Sequence, residues 1–222
     1  MIAALANLLP IALGVAISPI PVMATILMLL AQQSPATSLG YLIGWATGIL
    51  LPVMMFTFLA GFLPEPDGSH GRFINGGLLI LIGLGLTAVG IRQWRTRAGG
   101  QEENLPRWMS TLDSLTPKRA FTLALTLSFV NPKTMLLAAS AALIIRGANL
   151  GLVALVFALA WFTVFGSLTI GVPVLAYRFA PGRFDEPLQR MRTWMVRNSG
   201  AMMAGLTILL GLFIILVGIV HA

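Results

Sequence analysis

Cysteine is absent from the 222 residues, and charge is scarce, with Asp, Glu, Lys and Arg at only 9% of positions. The first absence excludes disulfides, thiolate metal sites and a cysteine nucleophile, and leaves the compartment open. The second excludes an ordinary soluble domain, where roughly a quarter of residues are charged. Acidic residues are rarer than basic ones, seven against fourteen, and none falls inside an apolar segment. No carboxylate pair or Ser/His/Asp set sits at membrane depth, so hydrolytic chemistry is not expected. Without a Gly-x-x-x-x-Gly-Lys-Ser/Thr loop the chain does not hydrolyse nucleotide by that device. The two histidines, His70 and His221, are far apart and read as solvated rather than metal-binding. Neither an enzyme nor a bound cofactor is expected.

What remains is apolar, 57% hydrophobic with a mean hydropathy of +0.90. Six stretches are long enough to cross about 30 Å of hydrocarbon. They run over Ile2–Ala31, Leu39–Leu63, Ile74–Ile91, Ala120–Ile145, Leu150–Tyr177 and Ser199–Val220. The expected fold is an all-α integral membrane protein, one six-span domain over residues 1–222. The first stretch reads as a span rather than a secretory signal: it lacks a basic n-region, is too long, and precedes no small-residue cleavage site.

The net charge of +7 is concentrated, because eleven of the fourteen Lys and Arg residues lie in the third and fifth connectors. Nucleic acid is therefore not the expected partner; orientation and anionic lipid headgroups account for the charge. The positive-inside rule places the connectors at 92–119 and 178–197 in the cytoplasm and both termini outside a plasma membrane. Trp94, Trp108 and Trp194 flank these connectors, as interfacial anchors do.

Three spans per half imply that a duplicated half inserts upside down. The segment from Gly77 to Ile91 aligns with that from Gly205 to Ile219 at nine identities in fifteen positions, three of them glycine. Two inverted three-helix repeats are expected, about 1–94 and about 120–222, joined by the cytoplasmic connector. Close packing of two glycine-rich helices would leave the same pattern.

Two spans are interrupted. Ser18-Pro19-Ile20-Pro21 breaks the first and Asn131-Pro132-Lys133 the fourth. Proline frees backbone polar groups that hydrocarbon cannot hydrate, so such breaks persist where protein buries them or where they line a wet cavity. A matched pair, one per half, marks a transporter's binding site. Ser18, Pro19, Pro21, Asn131, Pro132 and Lys133 are thus the expected substrate-binding or coupling residues. Ser18 and Asn131 could equally cap the half-helices that the prolines create. A lysine at the centre of a membrane helix costs about 2.5–3.5 kcal/mol. Snorkelling to the interface is strained, since the fourteen residues separating Lys133 from Arg119 climb about 21 Å as helix. With no acid in any span, an anionic ligand group, a lipid phosphate or the neutral amine is left as its partner. An amine charged in one state and neutral in another could couple substrate movement to a proton gradient. Asp113, in a short amphipathic segment after Trp108, is a candidate gate or cytoplasmic contact, although pairing with Lys118 would be merely structural. Thr25 and Thr134, near the breaks, are expected to bond their own helices.

At Ile17-Ser-Pro-Ile-Pro-Val22, Trp108-Met-x3-Asp113-x2-Leu-Thr-Pro117 and Asn131-Pro-Lys133 the chain resembles the glycopeptidolipid-addressing family. These are actinobacterial six-span proteins with sulfolipid-addressing relatives, within the lysine-exporter superfamily. The resemblance implies export of a cell-envelope lipid or lipid precursor to the outer surface. It equally admits proton-coupled efflux of a small, amino-acid-type solute, or a non-transporting partner within a lipid-export complex. Membrane lipids and the transported molecule are expected partners. The glycine stripes at Gly83, Gly90, Gly211 and Gly218 would also suit a second copy of the chain or a larger lipid-export complex.

Overall fold

The computed structural model describes residues 1–31, 34–62, 69–96, 115–179 and 184–221. These residues form nine helices and no strand. They are α1 (Ile2–Ala16), α2 (Pro19–Leu30), α3 (Pro35–Ala60), α4 (Ser69–Thr96), α5 (Pro117–Phe129), α6 (Pro132–Gly147), α7 (Leu152–Gly166), α8 (Leu168–Phe179) and α9 (Asp185–His221). Segments of α3, α4 and α9 are each long and apolar enough to cross a membrane alone. The remaining six helices form three consecutive pairs, α1–α2, α5–α6 and α7–α8, bent by 59°, 69° and 68°. Counting each bent pair as one span gives the six expected from hydropathy.

One local signal starts four of these helices. Ser18-Pro19, Ser34-Pro35, Thr116-Pro117 and Asn131-Pro132 each place a capping residue before a proline at the first helical position. Proline suits that position because its missing N–H would be unpaired there anyway. Ser34 Oγ accepts from Thr37 N–H at 3.3 Å, and Thr116 Oγ1 from Arg119 N–H at 3.4 Å, satisfying orphan donors at the ends of spans. Ser18 and Asn131 repeat the signal in mid-span, so a new helix starts inside the apolar segment. The break in the fifth span is a departure from expectation. It falls at Gly166-Ser167, six residues before Pro173, and Pro173 itself lies inside the continuous α8. Glycine–serine pairs are a recognised cause of sharp kinks.

The core is built around α1, α3 and α6. Leu8, Ile11, Tyr41, Trp45, Ile49, Leu137 and Phe162 are all fully buried. α3 lies along α5 with backbone close to backbone. Gly40, Gly44 and Gly48 form one face of α3, and a Cβ on them would collide with Pro117 O, with the backbone of Phe121 and with Ser128 respectively. Small residues four apart permit this approach in the absence of a hydrophobic drive between helices.

α4 and α9 form the other intimate pair. A Cβ on Gly83 would meet Gly211 O at 2.7 Å, and one on Gly211 would meet Gly83 O at 2.7 Å. A Cβ on Gly90 would meet Ile208 and Ala204 O, while one on Gly218 would meet Ile80 and Gly76 O. Each of these contacts maps onto its counterpart by the same register that aligns Gly77 with Gly205.

α9 holds a second departure. It spans 37 residues, about 55 Å at 1.5 Å per residue, which exceeds the hydrocarbon thickness. Much of the expected fifth connector is therefore helix. Asp185 and Glu186 stand in its first turn, favourable to the helix dipole, and Glu186 pairs with Arg190 one turn on.

Candidate functional site

In a continuous helix the Ile17 carbonyl would accept from the N–H of residue 21, and Pro21 has none. The chain leaves α1 at Ile17, whose φ of −79° and ψ of 76° are not helical. That orphaned carbonyl is the acceptor for Lys133, whose Nζ donates to Ile17 O at 2.9 Å across 116 residues of sequence. Lys133 is 3% exposed. The lysine of the fourth-span break is thus bonded to the carbonyl freed by the first-span break. No Asp or Glu occurs on α1, α2, α3, α5, α6, α7 or α8, so a backbone dipole rather than a counter-charge receives the amine.

The third break joins the same point. Thr169 Oγ1, on the first turn of α8, donates to Ala16 O at 2.5 Å. The Gly166 carbonyl that ends α7 accepts from Trp45 Nε1 at 3.2 Å. Tyr41 OH and Thr25 Oγ1 both donate to Pro21 O, at 3.2 and 3.0 Å. Carbonyls at the end of α1, in the first turn of α2 and at the end of α7 are therefore taken by side chains from α2, α3, α6 and α8. In hydrocarbon such pairing is what permits a broken helix.

The hydroxyls are not matched in the same way. Ser18 Oγ, Ser128 Oγ, Thr134 Oγ1 and Ser167 Oγ are all buried and find no hydrogen-bond partner in the protein. Ser18 is the N-cap of α2, but its side chain makes no capping bond, and Pro19 and Pro21 remove two of the first three N–H groups it might have served. Asn131 behaves differently: its Oδ1 accepts from Lys133 N–H at 3.0 Å, a true N-cap of α6. Buried polar atoms without partners are uncommon, and these four lie within three residues of the three helix breaks.

Of the residues expected at the site, Ser18 and Lys133 are brought to one place through Ile17, and Asn131 holds the turn that presents Lys133. Pro19 and Pro21 are buried, whereas Pro132 is exposed. Thr25 bonds its own helix, but Thr134 does not. Asp113 lies outside the described residues, as does Trp108. Trp45, Tyr41, Ser167 and Thr169 escape sequence reasoning. The signal for Trp45 is a polar-tipped aromatic inside a span, away from the interface where such residues gather. Tyr41, two residues after the expected start of the second span, carries no such signal. For Ser167 and Thr169 the signal is Gly166-Ser167-x-Thr169 within an apolar run.

The sequence that builds this bundle matches the profile of one known family. That profile, described as Sap, sulfolipid-1-addressing protein, matches residues 8–220. The chain belongs to the sulfolipid-1-addressing protein family. The match takes in all three breaks, both glycine-rich helices and Lys133, so the junction is built from segments that the family profile covers. Comparison with curated proteins and with solved structures yields no match. Family membership and the apolar helices together make this a multi-pass membrane protein linked by name to sulfolipid addressing.

Proposed function

We propose that this protein is a secondary transporter, not an enzyme, that moves a cell-envelope lipid or lipid precursor toward the outer surface of the plasma membrane. The observation that carries the reading is the bond from buried Lys133 to the Ile17 carbonyl, which joins two broken spans without an acidic partner. Discontinuous helices with unwound backbone at membrane depth are the usual material of transporter sites. An ionisable residue held there is by default a functional group. Ser18, Asn131 and Lys133 are its contacts for substrate or coupling, with Pro19, Pro21 and Pro132 creating the breaks.

The register that exchanges Gly83 with Gly211 and Gly90 with Gly218 supports an inverted repeat, with α4 and α9 as equivalent third spans meeting on a pseudo-two-fold axis. Rocking of one repeat against the other would then alternate access to the junction. The same contacts weigh against a purely scaffolding role, since these four glycines are consumed within the chain rather than offered to a partner. Both termini lie outside and residues 92–119 and 178–197 face the cytoplasm in this reading.

The test is transport by purified protein in liposomes under an imposed pH gradient, wild type beside Lys133→Ala. Sulfated and phosphorylated envelope lipids are offered in parallel with basic and neutral amino acids. Gradient-dependent movement of a lipid, at least tenfold lower in the variant, is expected. Movement of an amino acid alone gives the small-solute reading. A folded wild type that moves nothing returns the protein to the role of partner in a lipid-export complex.

A further inference from the structure

Lys133 Nζ occupies the kind of place that transporters with broken helices give to a free ion. Unwound carbonyls and the C-terminal ends of half-helices coordinate monovalent cations, because the helix dipole puts partial negative charge there. Here the end of α1 supplies Ile17 O to the amine at 2.9 Å. The residues next in sequence carry two hydroxyls that do not bond the amine here. Ser18 Oγ follows Ile17 and Thr134 Oγ1 follows Lys133 in the chain, and both are buried without a partner. A hydroxyl has two lone pairs to offer a cation as well as a proton to donate. No carboxylate from any neighbouring broken span competes for the amine.

We propose that the end of α1 is a monovalent-cation site whose resident ion is the ammonium of Lys133, tethered to the fourth span. The chain thereby carries its own cation where a related architecture would bind a free one. The site holds the first and fourth spans together while the ammonium is seated and lets them part when it leaves. That consequence rests on the transport reading; the existence of the site does not.

The prediction is chemical rescue. Lys133→Ala removes a propylammonium arm and leaves the Ile17 carbonyl in place. Its melting temperature in detergent should fall below that of wild type and should recover by half or more, saturably, with n-propylammonium chloride. Ammonium chloride should give partial recovery, and choline chloride at equal ionic strength none, because its head group is too bulky to approach a carbonyl. Wild type and Lys133→Met, whose own side chain fills the path, should not respond. Absence of recovery with either ammonium salt, or an equal rise in wild type, overturns the proposal. If Lys133→Ala does not assemble, Lys133→Gln decides. It is neutral and one bond shorter than lysine, so wild-type melting in that variant overturns the proposal, as does an equal loss in Lys133→Arg, which keeps the charge; a loss confined to Lys133→Gln supports it. The melting assay needs no substrate, so failure of the transport experiment and failure of this one are separate results.

Discussion

Gly83 and Gly85 sit two residues apart on α4 and face opposite surroundings, which makes them a controlled pair. A Cβ at residue 83 would lie 2.7 Å from Gly211 O and 2.9 Å from Ile215 N, both backbone atoms of α9. At residue 85 nothing lies within 4 Å. Ordinary contact begins near 3.4 Å, so Gly83→Ala forces the two helices apart by roughly 0.7 Å at their closest point. A gap of about that size forfeits a quarter to a half of each dispersion contact it opens. The loss runs along the seam, because Gly90, Gly211 and Gly218 depend on the same approach. Overpacking of this kind costs about 1–3 kcal/mol. Both substitutions gain the same intrinsic helix preference of alanine over glycine, about 0.8–1.0 kcal/mol in water, so that term cancels in the comparison. Gly83→Ala should therefore melt about 2–12 °C below Gly85→Ala, taking about 2–4 °C per kcal/mol for a chain of this size. Intrinsic tryptophan fluorescence of detergent-purified protein reads the transition. Equal melting of the two variants would refute the claim that α4 and α9 meet through their glycines.

Two further outcomes concern the junction. Trp45→Phe leaves the Gly166 carbonyl buried without its donor and should destabilise by about 1–3 kcal/mol. Trp161→Phe, which removes an indole N–H that has no partner, should cost clearly less; equal losses in SDS-titrated unfolding would count against the assigned bond. Pro21→Ala gives residue 21 an N–H able to take the Ile17 carbonyl, so Lys133→Met should cost less in that background than in wild type. A double-mutant cycle should return a coupling of about 0.5–3 kcal/mol, and a value of zero would sever the link between the proline and the lysine.

The spans were legible because hydrocarbon thickness sets a length that apolar runs must meet, and six runs meet it. The first and fourth breaks were legible because proline cannot continue a helix whatever surrounds it. The fifth was hidden for a different physical reason. Gly166-Ser167 keeps both backbone N–H groups and can remain helical, and the hydrophobic run through it is unbroken. It breaks here where Trp45, on α3 and 121 residues away in sequence, takes the Gly166 carbonyl. A kink stabilised from elsewhere in the fold leaves only a faint local mark. The helical start of α9 was hidden by hydropathy itself, which separates apolar from polar and not helix from loop. Asp185 and Glu186 followed by Arg190 carried the missing information, as acids in a first turn and an i,i+4 ion pair.

Lys133 shows how far two costly residues can explain one another. At the ends of α3 and α5 the cap-proline start needs no tertiary help from a cation, because side-chain caps serve the first N–H groups. The same start placed within the first span strands a carbonyl at Ile17 where lipid offers no donor. A lysine in the fourth span would separately cost about 2.5–3.5 kcal/mol. Joined, the proline creates an acceptor and the lysine supplies the donor, and each offsets the other's burial. Such an arrangement does not arise from packing demands alone, since alanines in place of Pro19 and Pro21 would allow the helix to continue and a methionine in place of Lys133 would leave an apolar core. The pair makes sense if the bond must be broken and remade. In the proposed transport cycle a carbonyl released by the departing ammonium would again be an unpaired dipole at membrane depth, to be satisfied by water, substrate or a shifted helix. In the proposed transporter that requirement would tie the charge state of one side chain to the geometry of two spans, which a static scaffold would not need.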